Sequence, residues 1–295
     1  MAWEGCMHKF VYHNDRLIAM GEVRLSPGQA GLLNGWGVFT TIHVAEGQPF
    51  AFERHWARLT GDAKRIEMAV PYSAENVRQK IGELLRANRV TTAALRIYFV
   101  LNRAGIWSSD EPLPLVDMIM YTIDLPQRVG PTRLSVMAHG RQAAHPLAGT
   151  KVTSWLYNAW ALEQAHHQGC DDMLLLNERG EVSECTAANI FAVHAGAVVT
   201  PPLDSGCLNG VTRQILFEEA PRISLPVREQ AFSLEGLYGA DEVCISSTTR
   251  HVQPVGQIGD HKYAQAPGPV TQRLERLFAD YFERYLESAK SKVGV

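Results

Sequence analysis

The chain has 295 residues, 46% hydrophobic and 20% charged, an ordinary globular composition that excludes disordered, collagen-like and disulfide-scaffold classes and predicts two domains. With 28 Lys+Arg against 31 Asp+Glu the net charge is -3, so no global field draws nucleic acid or an anionic membrane, and any anionic ligand must be held by local groups. The opening MAWEGCMHKFVYHNDRLIAM has no uninterrupted apolar stretch of signal length, and no later segment approaches the roughly 20 apolar residues that span a bilayer. The five cysteines, Cys6, Cys170, Cys185, Cys207 and Cys244, lack CxxC or Cys/His ligand spacing; the expectation is a cytoplasmic protein with neither disulfide framework nor metal site.

In chain order, KFVYH, RLIAMGEVRL and VFTTIHVAEGQPFAF alternate as strands do, the last pair meeting at a Glu46-Gly47-Gln48 turn. Trp56, Leu59, Ala63 and Ile66 fall at helical spacing between Arg54 and Met68, and Val77, Ile81, Leu84 and Leu85 repeat the pattern between Ser73 and Asn88. AALRIYFVL and LVDMIMYTIDL add two buried strands, completing an α+β unit expected over 1–123. The proline-bracketed 124–131 reads as a linker to a second domain over 132–295. That domain is predicted to hold the strand LSVMAH, a helix TSWLYNAWALEQAHHQG, a hairpin DMLLLNERGEVSE turning at Asn177 to Gly180, strands in NIFAVHAGAVVT, a helix VTRQILFEEA, a strand EVCISST and a C-terminal helix from Val270 to Ser288.

Several residues invite a chemical reading. Lys151 follows HPLAGT and is read as opening a helix of small and apolar residues: either a surface cation at a helix end, or a partly desolvated amine able to attack a carbonyl. Glu184 ends a strand rising from a tight turn. In CLNGVTRQILFEE, Asn209-Gly210 leads straight into a helix whose first amides, those of Val211 and Thr212, form either a plain helix start or a phosphate site. The hydroxyl run ISSTTR, Ser246 to Arg250, is a turn or part of an anion cradle, and Arg58 in ERHWARL is a helix-surface charge or a bidentate clamp.

Taken together, LLNGWGVFTT, HWARL, Lys151, SECTAANIF, TPPLDSGCLNGVTR and ADEVCISSTTRHVQPV resemble, in order and over nearly the whole chain, the fold-type IV pyridoxal-phosphate enzymes. These are the class IV aminotransferases: branched-chain and D-amino acid aminotransferases, (R)-amine transaminases and aminodeoxychorismate lyases. The resemblance implies a small N-terminal α/β domain, a larger C-terminal pseudo-barrel, a homodimer with the active site between the domains, and bound pyridoxal 5'-phosphate. It makes Lys151 the Schiff-base lysine and proton shuttle, sets Glu184 at the pyridine nitrogen and packs Leu208 on the ring face. It gives the phosphate to Arg58, Val211, Thr212, Ser247 and Thr248, and the substrate to Arg96, Phe39 and Thr249. Arg103 and Arg250 are further candidate cations, and Trp36, Trp107 and Trp155 are either pocket walls or core. The implied reaction is transamination between an amino acid or amine and a 2-oxo acid. The FTT of GVFTTIHV leans instead toward the lyases, which release pyruvate and 4-aminobenzoate, and a non-catalytic cofactor-binding protein is a third reading. Branched-chain enzymes usually carry a tyrosine five residues after the lysine, where this chain has Leu156 with Tyr157 next. The carboxylate trap of D-amino acid enzymes is missing from NRAGIWSSDEP, so L or D preference stays open.

Overall fold

The computed structural model describes residues 6–26, 28–102, 115–127 and 129–293. Two compact units emerge: one of Met1–Gln127, Thr150–Trp155 and Tyr285–Val295, the other of Arg128–Gly149 and Leu156–Arg284. The short return of the chain into the first unit at Thr150–Trp155 carries Lys151.

Among the described residues, the first unit is a six-stranded antiparallel sheet with helices packed on it. Its strands are β1 (Phe10–His13), β2 (Arg16–Ala19), β3 (Gly37–Ala45), β4 (Gln48–Pro49), β5 (Ala93–Leu101) and β6 (Val116–Ile123), in the order β2-β1-β6-β5-β3-β4. Its helices are α1 (Ala30–Asn34), α2 (Phe52–Arg65) and α3 (Ala74–Asn88). The predicted hairpin forms at Glu46 and Gly47, both at positive φ (52° and 75°). Ser73 caps α3 by accepting the Asn76 N–H at 3.1 Å, and α3 ends where Arg89 turns left-handed. Alternation along β5 separates the two faces of the sheet. Leu95, Ile97 and Phe99 are fully buried in the core that also takes Leu59 of α2 and Val77, Ile81 and Leu84 of α3, while Arg96 and Tyr98 lie half-buried on the other face.

The second unit is a nine-stranded mixed sheet. It comprises β7 (Thr132–Met137), β8 (Asp172–Leu176), β9 (Val182–Cys185), β10 (Asn189–His194), β11 (Ala197–Thr200), β12 (Val227–Glu229), β13 (Glu242–Ser247), β14 (His251–Ile258) and β15 (His261–Lys262). The path runs β12-β11-β10-β13-β14-β7-β8-β9, with β15 paired to β14. The sheet curls so that its end strand β9 passes into the interior strand β10 through a short turn closed by Cys185 N–H to the Ala188 carbonyl at 2.8 Å. Helices α4 (Leu156–His167), α5 (Val211–Glu219), α6 (Leu234–Tyr238) and the start of α7 (Pro269–Val293) complete the unit. Its core is aliphatic: Leu134, Leu174, Val182, Ile190, Ile245, Val255 and Ile258 pack in one buried cluster.

Helix α4 starts at Leu156 rather than Thr153, so Lys151 does not open a helix. Residues 150–155 instead run beside β3. Val152 bridges Val38 antiparallel, and Thr153 N–H donates to the Gly37 carbonyl at 2.9 Å, which holds the segment extended. Gly35 permits the approach: at φ 64°, a Cβ there would lie 2.7 Å from the Ser154 Cα.

Candidate functional site

In the first unit, the backbone of Lys151 is pinned at both polar groups. Its carbonyl accepts the Phe39 N–H at 3.2 Å, and its own N–H donates to Asp62 Oδ2 at 3.3 Å. The side chain carries Nζ to 4.4 Å from the centre of the Phe39 ring, a cation–π distance. Phe39 stacks on Tyr98 (5.2 Å, 9°), Tyr98 on Tyr121 (5.8 Å, 11°), and Trp155 meets Phe39 edge-on at 6.4 Å. This row follows from register: Phe39 faces Tyr98 across β3–β5, and Arg96, paired with Tyr121 across β5–β6, lies on the same half-buried face. Arg96 Nη1 donates to the Tyr98 hydroxyl at 3.1 Å. Burial pulls the Arg96 pKa down, but Tyr98 and Tyr121 beside it raise it further, leaving a cation among phenols.

Two turns of α2, with Thr40 of β3, supply the other polar groups. Arg58 Nη2 donates to Thr40 Oγ1 at 2.9 Å, and the same oxygen lies 2.9 Å from His55 Nδ1. Burial lowers the Arg58 pKa against the opposing pull of Asp62, and burial raises that of Asp62. The His55 pKa falls well below its usual value through burial first, then the charges of Arg58 and Lys151. Trp36 stands apart, 45% exposed with its indole N–H donating to the Ile66 carbonyl at 3.0 Å. Arg103 and Trp107 lie outside the described residues.

In the second unit Glu184, on β9, is buried and held at both oxygens. Oε1 accepts from Arg141 Nε at 2.9 Å and Oε2 from the Leu208 N–H at 3.1 Å. Arg141, which sequence reasoning missed, is itself oriented by Asn158 Oδ1 at 3.1 Å, and Asn158 donates to the Thr186 carbonyl at 2.7 Å. Its sequence signal is slight, a cation just past the end of LSVMAHG. The loop from Cys207 to Gly210 is equally constrained, since Asn189 Nδ2 donates to the Leu208 carbonyl at 2.7 Å. Gly210 packs on that asparagine so closely that a Cβ would fall 2.2 Å from Asn189 Oδ1. The loop delivers α5, whose N-terminus has no side-chain cap, so the amides of buried Val211 and Thr212 have no partner within the helix.

Ser247 ends β13 and accepts the Arg250 N–H at 3.3 Å; Thr248 and Thr249 form the turn before β14. The hydroxyl of Ser246 is buried with no partner among the described residues. Arg250, read from sequence as a cation that could reach substrate, is committed elsewhere. Its Nη2 pairs with Asp172 Oδ2 at 2.7 Å with both side chains almost fully buried, a partnership between residues 78 apart that local pattern does not reveal.

A model of the family described as amino-transferase class IV matches residues 37–258. The chain belongs to the class IV aminotransferases. It is 29% identical over 279 residues, 92% of this chain and 95% of that protein, to a D-alanine aminotransferase of Listeria innocua. Among solved structures, a branched-chain aminotransferase from Thermoproteus uzoniensis with norvaline superposes with a TM-score of 0.85 at 28% identity, covering 95% and 98% of the two chains. A branched-chain aminotransferase of T.th., complexed with N-(5'-phosphopyridoxyl)-L-glutamate, matches with a TM-score of 0.82 at 26% identity over 92% and 93%. The mixed α/β architecture of this class IV aminotransferase is thus that of fold-type IV. No helix among its described residues is long and apolar enough to cross a membrane.

Proposed function

We propose that this class IV aminotransferase moves an amino group between an amino acid, or a chiral amine, and a 2-oxo acid, with pyridoxal 5'-phosphate as carrier. One observation carries the reading: the loop Cys207 to Gly210 joins a buried, doubly hydrogen-bonded carboxylate to an uncapped helix N-terminus. An acid for a ring nitrogen and amides for a phosphate, tied together through one short loop, fit a flat heteroaromatic phosphate ester. When bound, the cofactor supplies an electron-withdrawing ring that stabilises negative charge at the substrate α-carbon.

In this reading Lys151 Nζ would hold the cofactor covalently and, once displaced by the substrate amine, would carry a proton from the substrate α-carbon to the cofactor. Glu184, kept in place by Arg141 and the Leu208 amide, would keep the ring nitrogen protonated, and Leu208 would pack against the ring. Arg58, the Val211 and Thr212 amides, Ser247 and Thr248 hold the phosphate; these are neutral donors plus one guanidinium, as a chain of net charge -3 requires. Arg96 orients a substrate carboxylate beside Phe39, and Thr249 is a further substrate-binding residue. The protein is a cytoplasmic homodimer in this reading; Leu156, Tyr157 and Trp160, exposed by 83%, 43% and 51% on α4, leave apolar surface for a second copy.

The test is a panel of L- and D-amino acids and amines added to the cofactor-loaded protein. A donor is expected to bleach the visible absorbance of the bound cofactor, and a 2-oxo acid to restore it. If no donor does so, while aminodeoxychorismate yields pyruvate and 4-aminobenzoate at an enzyme-like rate, the reading is wrong and the protein is a lyase.

A further inference from the structure

Resting on the phosphate role just given to Arg58, we propose that His55 and Thr40 are positioning residues that set the Arg58 guanidinium for the cofactor phosphate. The three form one chain of hydrogen bonds: Arg58 Nη2 to Thr40 Oγ1 at 2.9 Å, and Thr40 Oγ1 to His55 Nδ1 at 2.9 Å. Its polarity follows from counting protons. A guanidinium only donates, so Thr40 Oγ1 accepts from Arg58 and keeps its own proton to give away. Thr40 is fully buried, and His55 Nδ1 is the acceptor within reach. Were Nδ1 protonated instead, the threonine proton would be left buried without a partner, which is the costlier arrangement. His55 is therefore neutral with its hydrogen on Nε2, and burial together with the charges of Arg58 and Lys151 holds it in that state.

The arrangement explains an otherwise unfavourable choice of residue. His55 is fully buried and its Nε2 has no partner among the described residues, so an aliphatic side chain of similar size would bury at lower cost. What the imidazole adds is the acceptor that orients the Thr40 hydroxyl, and the hydroxyl then offers a fixed lone pair to Arg58. Thr40 stands on β3, opposite Ile97 in the long ladder with β5, and so lends the long arginine side chain a rigid reference point. With Nη2 tied there, Arg58 Nε remains buried without a partner among the described residues, a desolvated donor ready for an anion.

Binding titrations of apoprotein with pyridoxal 5'-phosphate and with pyridoxal, which lacks the phosphate, test the proposal. Thr40→Val and His55→Leu should each weaken pyridoxal 5'-phosphate by about tenfold, the worth of one charge-assisted hydrogen bond, and leave pyridoxal within about twofold. Thr40→Ser and His55→Asn, which keep a hydroxyl and an acceptor, should bind both ligands nearly as the parent does. In an Arg58→Ala background Thr40→Val should add no further loss. Equal losses for the two ligands, or a Thr40→Val effect that persists without Arg58, would show a merely structural role and overturn the proposal. Should Thr40→Val not fold, the His55→Leu and His55→Asn pair decides by the same ratio. If the parent itself binds the phosphate ester no better than pyridoxal, the phosphate assignment of Arg58 fails first.

Discussion

Replacing Arg250 by methionine separates two roles that a cation at the end of ISSTTR could play. The guanidinium pairs with Asp172 at 2.7 Å with side-chain exposures of 3% and 0%, and the other Asp172 oxygen accepts from the Thr186 N–H at 3.2 Å and the Met173 N–H at 2.9 Å. Methionine keeps most of the aliphatic stem, so the cavity cost is small and the loss is dominated by a carboxylate left buried without its cation. Such a break costs about 3–5 kcal/mol. At roughly 2–4 °C per kcal/mol for a domain of this size, the midpoint of thermal unfolding should fall by about 6–20 °C. Adding Asp172→Asn, which removes the stranded charge yet keeps an acceptor, should recover more than about 1 kcal/mol, the sign of direct coupling. Thermal and urea unfolding of the apoproteins measure both quantities. A loss below about 1 kcal/mol, or a KM defect for the amino donor with unchanged unfolding, would refute this account and return Arg250 to the substrate.

Lys151→Ala should lower turnover by at least about 10²–10⁴-fold while the unfolding midpoint stays put, because Phe39 and Asp62 hold the backbone rather than the side chain; borohydride labelling of the parent should modify Lys151 and no other lysine. Gly210→Ala places a methyl group 2.2 Å from Asn189 Oδ1, and a calorimetric scan should show about 1–3 kcal/mol of overpacking together with weaker cofactor retention, part of the stability returning with Asn189→Ala. Burial holds the His43 pKa down at about 4 against a usual 6.5, so between those values the unfolded chain binds the extra proton and stability rises with pH. The unfolding free energy from urea titrations should therefore drop as the pH falls from 6.5 toward 4, by about 3 kcal/mol in all from this group, and His43→Gln should flatten that slope without altering stability's trend above pH 7.

Helices α2 and α3 and the strands β3, β5 and β6 were legible because each repeats its apolar residues at the period of its own geometry, and the core of the first unit is built from those residues. Short or interrupted elements were not. Helices α1 and α6 have five residues each, too few to display a period, and β12 has three. Strand β14 runs through the interior of its sheet despite Pro254 and Gly256, at a register shift between Val255 and Gln257, and both residues locally argue for a loop. The candidate site divides along the same line. Residue types that announce a chemistry, such as Lys151, Glu184 and the Gly210 helix start, could be named from sequence, whereas what orients them could not. TSWLYNAW has a helical composition, and only pairing with β3, more than a hundred residues earlier, keeps 150–155 extended. Arg141 lies 43 residues from Glu184, and Thr40 lies on a strand whose pattern reads simply as core. Such partners share no local period with the residue they serve, so their contribution becomes visible only through distance and burial, where it also becomes testable by removing one partner while leaving the named residue in place.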